Sequence, residues 1–554
     1  MSESSKKFKV FLPLLFAVVL ALGIFLGFKL RDIQAPRNTY FLNTGSQGPL
    51  QEILDLARLK YVDSVNPQKL KDDAIQGILA HLDPHSVYIP PDKLAGVNED
   101  LDGSFRGIGV EFLIISDTIN ITSVVPGGPS AAAGLEIGDK FIRVNDSAVA
   151  GVAITTDRIK ALLRGPLNTK VRLKVLRNGQ MKDFLVGRGT IPLHSIDAAY
   201  MVAPGVGYIR INRFAANTYQ EFMDAMLKLQ KQGLGKLIVD LRQNSGGYLD
   251  AAVHIADEFL SDHRLIVYTQ GQHYPRKDYN SEKAGVFEQG PLAVLVDGGT
   301  ASASEILAGA IQDWDRGTIV GRRTFGKGLV QEQYNLSDGG AMRLTVARYY
   351  IPSGRSLQRS YKGGSAAYYS DIVDRYLHGE LTHADSIHFS DTTRYYTRLK
   401  HRPEYGGGGI MPDVFVPIDT VRLDQVMRSL YAGGTFFDFA YGYYDNHRQE
   451  FDGYKTPEDF VTGFEVSDDM LRAFRTYAAS RGVTVSPAAI KSDRAEIAIR
   501  IKALLARELW QLPGYYRVLN TRDRAVAAAL KVLKDQTAAG AEPAASRKGE
   551  SGPD

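Results

Sequence analysis

The chain of 554 residues contains no cysteine. That excludes disulfide staples, zinc–thiolate centres, iron–sulfur clusters and a cysteine nucleophile. It leaves the compartment open, because a large domain can do without disulfides anywhere. An excess of charge is also missing. Lys and Arg number 66 against 62 Asp and Glu, a net charge of +4, and no long basic run occurs, so nucleic-acid binding finds no support. What is there is ordinary globular material, 44% hydrophobic and 23% charged, and long enough for several domains.

One uncharged stretch stands apart. Val10 to Phe28 holds 19 residues without a charge, which at 1.5 Å per residue nearly spans a hydrocarbon core of ~30 Å. Lys6, Lys7 and Lys9 precede it, and no small-x-small cleavage site follows. The stretch predicts an uncleaved signal anchor rather than a removed signal peptide or a buried core helix. Lys29, Arg31 and Arg37 balance the preceding lysines and leave orientation unset. The short tail before a large globular region points to a single-pass membrane protein with its bulk exported.

The rest divides by pattern. After the tail and anchor (1–31) come a polar linker and a helical region (32–98), with helical spacing at Leu50, Ile53, Leu54, Ala57 and Tyr61 and over 67–82. Short strands and turns dominate 99–187, with one helix, "TTDRIKALLRG", closed by Gly165. From 188 to 420, β-branched runs such as "GVGYIRI", "KLIVDL" and "PLAVLVD" alternate with amphipathic helices. This is an α/β layer architecture with strands covered on both faces. Residues 361–408 are polar and Tyr-rich and read as an insertion. Helices follow over 421–535, near 468–480, 491–510 and 521–535, before a disordered tail over 536–554.

Three segments of the α/β region can carry chemistry. In "DGGTASASEILAGAIQD", 297–313, Ser302-x-x-Glu305 is a capping box, and in isolation it is usually no more than that. The serine nevertheless sits between a buried strand and a helix start, where free N–H groups and the dipole favour a developing oxyanion. In "VDLRQNSGGYLDAA", Gly246 and Gly247 form a tight turn whose N–H groups can approach a ligand closely, although such a turn is more often only a turn. In "GRRTFGKGLVQEQYNL", a phosphate-binding loop is one residue short. Gly328 stands where the magnesium-binding hydroxyl belongs, and a strand pattern follows instead of a helix. If that segment is extended, Lys327, Leu329, Gln331 and Gln333 share a face, with Lys327 and Gln331 adjacent. A serine needs a base. His254 and His263 have no evident Asp partner, whereas a lysine kept neutral by burial can serve.

In order and spacing, "SFRGIGVEF", "VVPGGPSAAAGLEIGDKFIRVND", "DLRQNSGG", "TASASEILAGAIQD", "GRRTFGKGLVQEQ" and "RYYIPSGRSLQ" resemble the C-terminal processing (tail-specific) serine proteases. The resemblance covers most of 48–418. "HLDPHSVYIP" and the long helical C-terminus look like the Bacteroidetes-type members. It implies a crotonase/ClpP-like protease core with a PDZ domain inserted at 99–187. It implies a Ser302–Lys327 dyad oriented by Gln331, with an oxyanion hole from the N–H groups of Ala303 and of Gly246 or its neighbour Gly247. No cofactor or metal is implied. The expected partners are protein or peptide substrates with free C-termini, with a homo-oligomer or an adaptor lipoprotein as further candidates.

In the PDZ region, Gly107, Ile108, Gly109 and Val110 are expected to receive a terminal carboxylate. Ile159, Leu162 and Leu163 are candidates for the opposite wall, and Arg106 for charge attraction. The competing reading is a catalytically inactive PDZ scaffold on a protease-like fold, against which intact Ser302, Lys327 and Gln331 argue.

Overall fold

The computed structural model describes residues 17–25, 48–388, 392–418 and 425–540, apart from the side chains of Ile490 and of 537–540. Among the described residues no helix is long and apolar enough to cross a membrane. Most of the expected anchor, Val10–Phe28, lies outside them; residues 17–25 are helical and exposed. The expected linker at 32–47 also lies outside. The chain divides into two units, 1–78 and 79–554. The first contains helix Pro49–Lys60, which opens on proline at its first turn, and most of helix Pro67–Ala80.

In the second unit, strands Val110–Ile115 (β1), Thr118–Val124 (β2), Lys140–Val144 (β3), Lys170–Arg177 (β4) and Gln180–Gly187 (β5) form an antiparallel sheet in the order β1-β2-β3-β4-β5. "GIGVEFLII" does not run as one strand. Gly109 takes φ +78° and breaks it, and Ser104–Gly107 pairs instead with Gly189–Pro192 in a separate ribbon. Helix Thr156–Leu163 (α1) is capped by Thr155 Oγ1, which accepts from the Arg158 N–H at 3.2 Å. It ends one residue before the predicted glycine closure, because Arg164 is extended and the Arg188 guanidinium donates to the carbonyls of Leu162 and Leu163 at 2.8 and 2.9 Å.

The main sheet follows from the β-branched runs. Ile196–Ala203 (β6) is antiparallel to Val206–Ile211 (β7). Lys236–Asp240 (β8), Leu292–Val296 (β9), Thr318–Gly321 (β10) and Val414–Phe415 (β11) then continue parallel in that order. Period-two alternation assigns the faces. Leu237, Val239, Leu292, Val294 and Val296 point to helices Thr218–Gln230 (α2), Leu249–Asp257 (α3) and Ala303–Asp313 (α4). Ile238, Ala293 and Leu295 point the other way. Every residue of α4 is buried. Its C-terminal end is closed by the fully buried Arg355, which donates to Gln312 Oε1 at 2.7 Å and pairs with Asp313 at 2.9 Å, a cation where the helix dipole favours one.

A second sheet leaves this layer. The hairpin Leu329–Asn335/Ala341–Tyr350 pairs through its longer strand with Val87–Ile89 and Leu265–Gln270, the last joined by Lys277–Asn280. The expected insertion contains a helix, Gly364–Leu377 (α5), whose Tyr368 and Arg375 are buried against the main body.

The C-terminal helices form an aromatic-rich core of their own. Helix Arg494–Asn520 (α6) passes the expected end at 510 but is kinked at Trp510 and Gln511, just before Pro513. It meets the small sheet through Arg507–Glu111 at 2.8 Å and the Ser123 hydroxyl, which donates to Gln511 at 3.1 Å. Helix Arg524–Gly540 (α7) overruns the predicted order–disorder boundary at 535. Its Ala525, Val526, Ala529 and Leu533 cover the free face of the main sheet, beside Tyr208, Ile238 and Leu295. The architecture is therefore mixed α/β, with a small β module and a helical C-terminal region.

Candidate active site

Ser302 stands where β9 gives way to α4, with φ +55° and ψ −117°. Such a backbone costs a non-glycine residue roughly 1–3 kcal/mol and persists only when its surroundings enforce it. Three contacts do so here. Glu305 Oε2 accepts from the Ser302 N–H at 2.9 Å, the Tyr349 hydroxyl donates to the Ser302 carbonyl at 3.1 Å, and Gly246 packs against the serine. A Cβ on Gly246 would come within 2.8 Å of Ser302 Cβ, so only glycine fits, and its φ of +101° suits glycine as well. Ser302 and Glu305 form the expected capping box, with the serine side chain toward the Glu305 N–H and the Glu305 carboxylate on the Ser302 N–H. The Glu305 N–H also donates to the Ser302 carbonyl at 2.8 Å, so the helix start does not depend on Oγ alone.

Lys327 lies in the loop between β10 and the hairpin. Its Nζ donates to Gln331 Oε1 at 3.0 Å. Gln331 Nε2 in turn donates to the His85 carbonyl at 2.6 Å, which fixes the amide with its oxygen toward the lysine. Lys327 and Gln331 do come together, but not through the predicted alternation, because Lys327 precedes the strand Leu329–Asn335. A register shift between Val330 and Gln331 interrupts the ladder there.

Burial pushes the Lys327 ammonium below its ordinary pKa. The Arg343 charge pushes the same way, against the pull of Asp83 and Glu305. His85 is pushed down to about 4, by burial first and then by the Lys327 charge, so its ring is neutral near pH 7. Ser302, Lys327, Gln331, Gly246, Ala303 and Arg343 line one cleft of about 1230 Å³. Neither His254 nor His263 lines it.

Two buried side chains that the sequence did not mark as part of the site tie nucleophile and base together. Glu305 accepts through Oε2 from the N–H groups of both Ser302 and Lys327, each at 2.9 Å. Through Oε1 it accepts from the Gly326 N–H at 2.8 Å and from the Thr324 hydroxyl. Burial pushes its carboxyl upward against these four donors. Tyr349 shares its one hydroxyl hydrogen between the carbonyls of Ser302 and Lys327. One carboxylate takes both N–H groups and one phenol serves both carbonyls, so the two backbones are held as a unit. The capping box was the only sequence signal for Glu305.

The loop Asp83–Ser86 is a third support. Asp83 accepts from the N–H groups of His85 and Ser86 at 2.7 and 2.9 Å, and His85 Nε2 meets the Tyr368 hydroxyl at 2.8 Å. "DP" in "HLDPHS" was its turn signal.

The Gly246 N–H donates to Asn244 Oδ1 at 2.9 Å and is therefore engaged. The N–H groups of Gly247 and Ala303 have no hydrogen bond among the described residues. Both lie on segments that line the cleft, which makes them its unengaged donors.

In the small β module, the N–H groups of Ile108 and Gly109 likewise have no partner among the described residues, and β1 pairs on one edge only. Ile159 and Leu163 point into the module's core beside Val171 and Val175, so they are not groove residues; Leu162 is half-buried. The Ile108 side chain also turns into that core.

The chain matches the profile of peptidase family S41 over residues 205–364, that of the PDZ domain over 121–177, and that of a family of unknown function over 426–511. It is 31% identical over 385 residues to a carboxy-terminal-processing protease of Bartonella bacilliformis, covering 68% of this chain and 87% of that protein. It is 36% identical over 315 residues to a carboxyl-terminal-processing protease of Synechocystis sp., covering 55% and 72%. Among solved structures it is similar to a photosystem II D1 C-terminal processing protease, at 28% identity, 66% and 86% coverage and a TM-score of 0.34.

Proposed function

The chain belongs to the carboxy-terminal-processing proteases of peptidase family S41, and from that premise we propose a serine endopeptidase with a Ser302–Lys327 dyad, anchored in the membrane with its bulk in the periplasm. The observation that carries the dyad is the shared bracket of Glu305 and Tyr349, which holds the backbones of Ser302 and of a desolvated Lys327 at one cleft. Neutral Lys327 takes the Ser302 proton as Oγ attacks the peptide carbonyl carbon. The oxyanion that forms meets the N–H groups of Ala303 and Gly247, since that of Gly246 is taken by Asn244. The C–N bond then breaks, and the lysine returns its proton to the leaving amine. Water, deprotonated by the same lysine, hydrolyses the ester left on Ser302.

Gln331 directs the lysine by accepting one of its hydrogens. The open edge of β1 and the unengaged N–H groups at Ile108 and Gly109 support recognition of a substrate's C-terminal carboxylate. The uncharged stretch Val10–Phe28 supports the anchor.

A fluorophosphonate probe with peptide mapping tests the centre. Labelling at Ser302, abolished in Ser302→Ala together with cleavage of an unfolded polypeptide, is the expected outcome. Wild-type cleavage by Ser302→Ala refutes the dyad. Membrane fractionation with and without residues 1–31 tests the anchor.

A further inference from the structure

Helix α5 has two unlike faces. Its inner face grips the catalytic loops. Tyr368 meets His85 at 2.8 Å, Asp371 pairs with Arg359 and with Arg375 at 2.9 Å, and Arg375 donates to the Thr324 carbonyl at 2.8 Å. Its outer face carries Tyr369, whose hydroxyl donates to the Pro84 carbonyl at 2.7 Å, and Ile372, Val373, Tyr376 and Leu377, all between 43% and 70% exposed. At 100° per residue these five share one arc of about 140°, which adjoins Tyr368 at Ile372 and turns away from Asp371 and Arg375 at Val373 and Leu377. Scattered exposed apolar side chains are ordinary, but a contiguous row of five is the kind of patch that marks an interaction site.

The row is continuous with the active cleft, because Ile372 also lines the cavity that holds Ser302 and Lys327. From Tyr369 to Leu377 it runs about 12 Å, which matches roughly four residues of extended chain. We infer that this face of α5 is an exosite that takes an apolar stretch of the substrate polypeptide as it leaves the cleft. The inference rests on the endopeptidase reading for the identity of its occupant. A second copy of the chain is the competing occupant. Substrate is preferred because Ile372 of the row lines the catalytic cavity and its helix is clamped to the catalytic loops, which places the row beside a chain that crosses Ser302.

Binding can be measured apart from turnover. The full chain as Ser302→Ala is titrated into a labelled, unfolded, apolar-rich polypeptide whose C-terminus is amidated, so that carboxylate recognition contributes nothing. Affinity is read by fluorescence anisotropy. Adding Val373→Ser and Leu377→Ser is expected to weaken binding roughly tenfold, the scale of losing two partly buried apolar side chains. In the Ser302 form, the same pair should raise KM for the long polypeptide and leave kcat/KM for an octapeptide spanning the scissile bond within twofold. Unchanged anisotropy overturns the exosite, as does an equal loss on polypeptide and octapeptide. Loss of a dimer in sedimentation, with polypeptide affinity intact, overturns it in favour of self-association. Absence of all wild-type hydrolysis beside intact, substitution-sensitive binding would refute the protease reading and leave the docking surface standing.

Discussion

Glu305→Gln is a sharp probe of the catalytic bracket. Each carboxylate oxygen accepts two donors: Oε2 serves the N–H groups of Ser302 and Lys327, and Oε1 serves the Gly326 N–H and the Thr324 hydroxyl. An amide nitrogen cannot accept, so either orientation of the glutamine turns an NH₂ group toward one of these pairs. The less costly orientation faces Thr324, whose hydroxyl can rotate and accept, and strands the Gly326 N–H. A buried donor left unpaired costs about 1–3 kcal/mol. A loss of about 2 kcal/mol corresponds to a Tm lower by roughly 4–8 °C for a cooperative unit of about 150–250 residues, the scale of the α/β core. Activity should fall further than stability alone implies, because the same carboxylate holds Ser302 in a backbone that relaxes without support. If relaxation misplaces the hydroxyl by about 1.4 kcal/mol, kcat drops about tenfold. Glu305→Asp, too short to reach all four donors, should lose kcat similarly. Calorimetry and steady-state hydrolysis at one temperature below both transitions give the two readings. A Glu305→Gln protein with wild-type Tm and kcat would refute the bracket.

Further expectations follow from the same geometry. Lys327→Arg should be as inactive as Lys327→Ala, with kcat down about 10²–10⁴-fold, since a guanidinium does not give up its proton; substantial hydrolysis by Lys327→Arg rules out the base. The wild-type rate should rise with pH as Lys327 loses its proton, at a pH below that of an ordinary lysine. Arg343→Gln removes a charge that pushes Lys327 down, so the lysine pKa rises and the acid limb of the pH–rate profile must move to higher pH; a static limb, or one moving to lower pH, contradicts the electrostatic account. Peptides with apolar tails should bind full-length Ser302→Ala about tenfold or more tightly as free acids than as amides, through charge-assisted bonds to the Ile108–Gly109 turn; equal affinity by anisotropy removes carboxylate recognition.

The sequence alone set what acts within one element. Short uncharged runs such as "PLAVLV" read as strands covered on both sides, and both faces of β9 are indeed covered. The turn from that strand into "SASEILAGAIQD" puts Ser302 on a helix N-terminus, and a separation of four residues keeps Gln331 within reach of Lys327. These signals are local: a residue's few neighbours in the chain fix the dihedral preference and the face.

Tertiary structure decided everything that joins distant segments. The capping box at Ser302 is indistinguishable in sequence from an ordinary one. The packing of Gly246 and Tyr349, with the Glu305 carboxylate, holds this serine at φ +55°. Glu305 reaches Lys327, and Gln331 reaches His85 across 246 positions, because separate elements converge on one cleft. Ile159 and Leu163 have the apolar character of groove residues, yet they turn inward because α1 lies on its sheet through that face. The C-terminal helix α7, which in sequence is one more amphipathic segment, is the second cover of the main sheet. Each of these depends on which apolar surfaces find each other once the chain closes on itself. A hydrophobic pattern states that a face must be buried, and the rest of the fold decides against what.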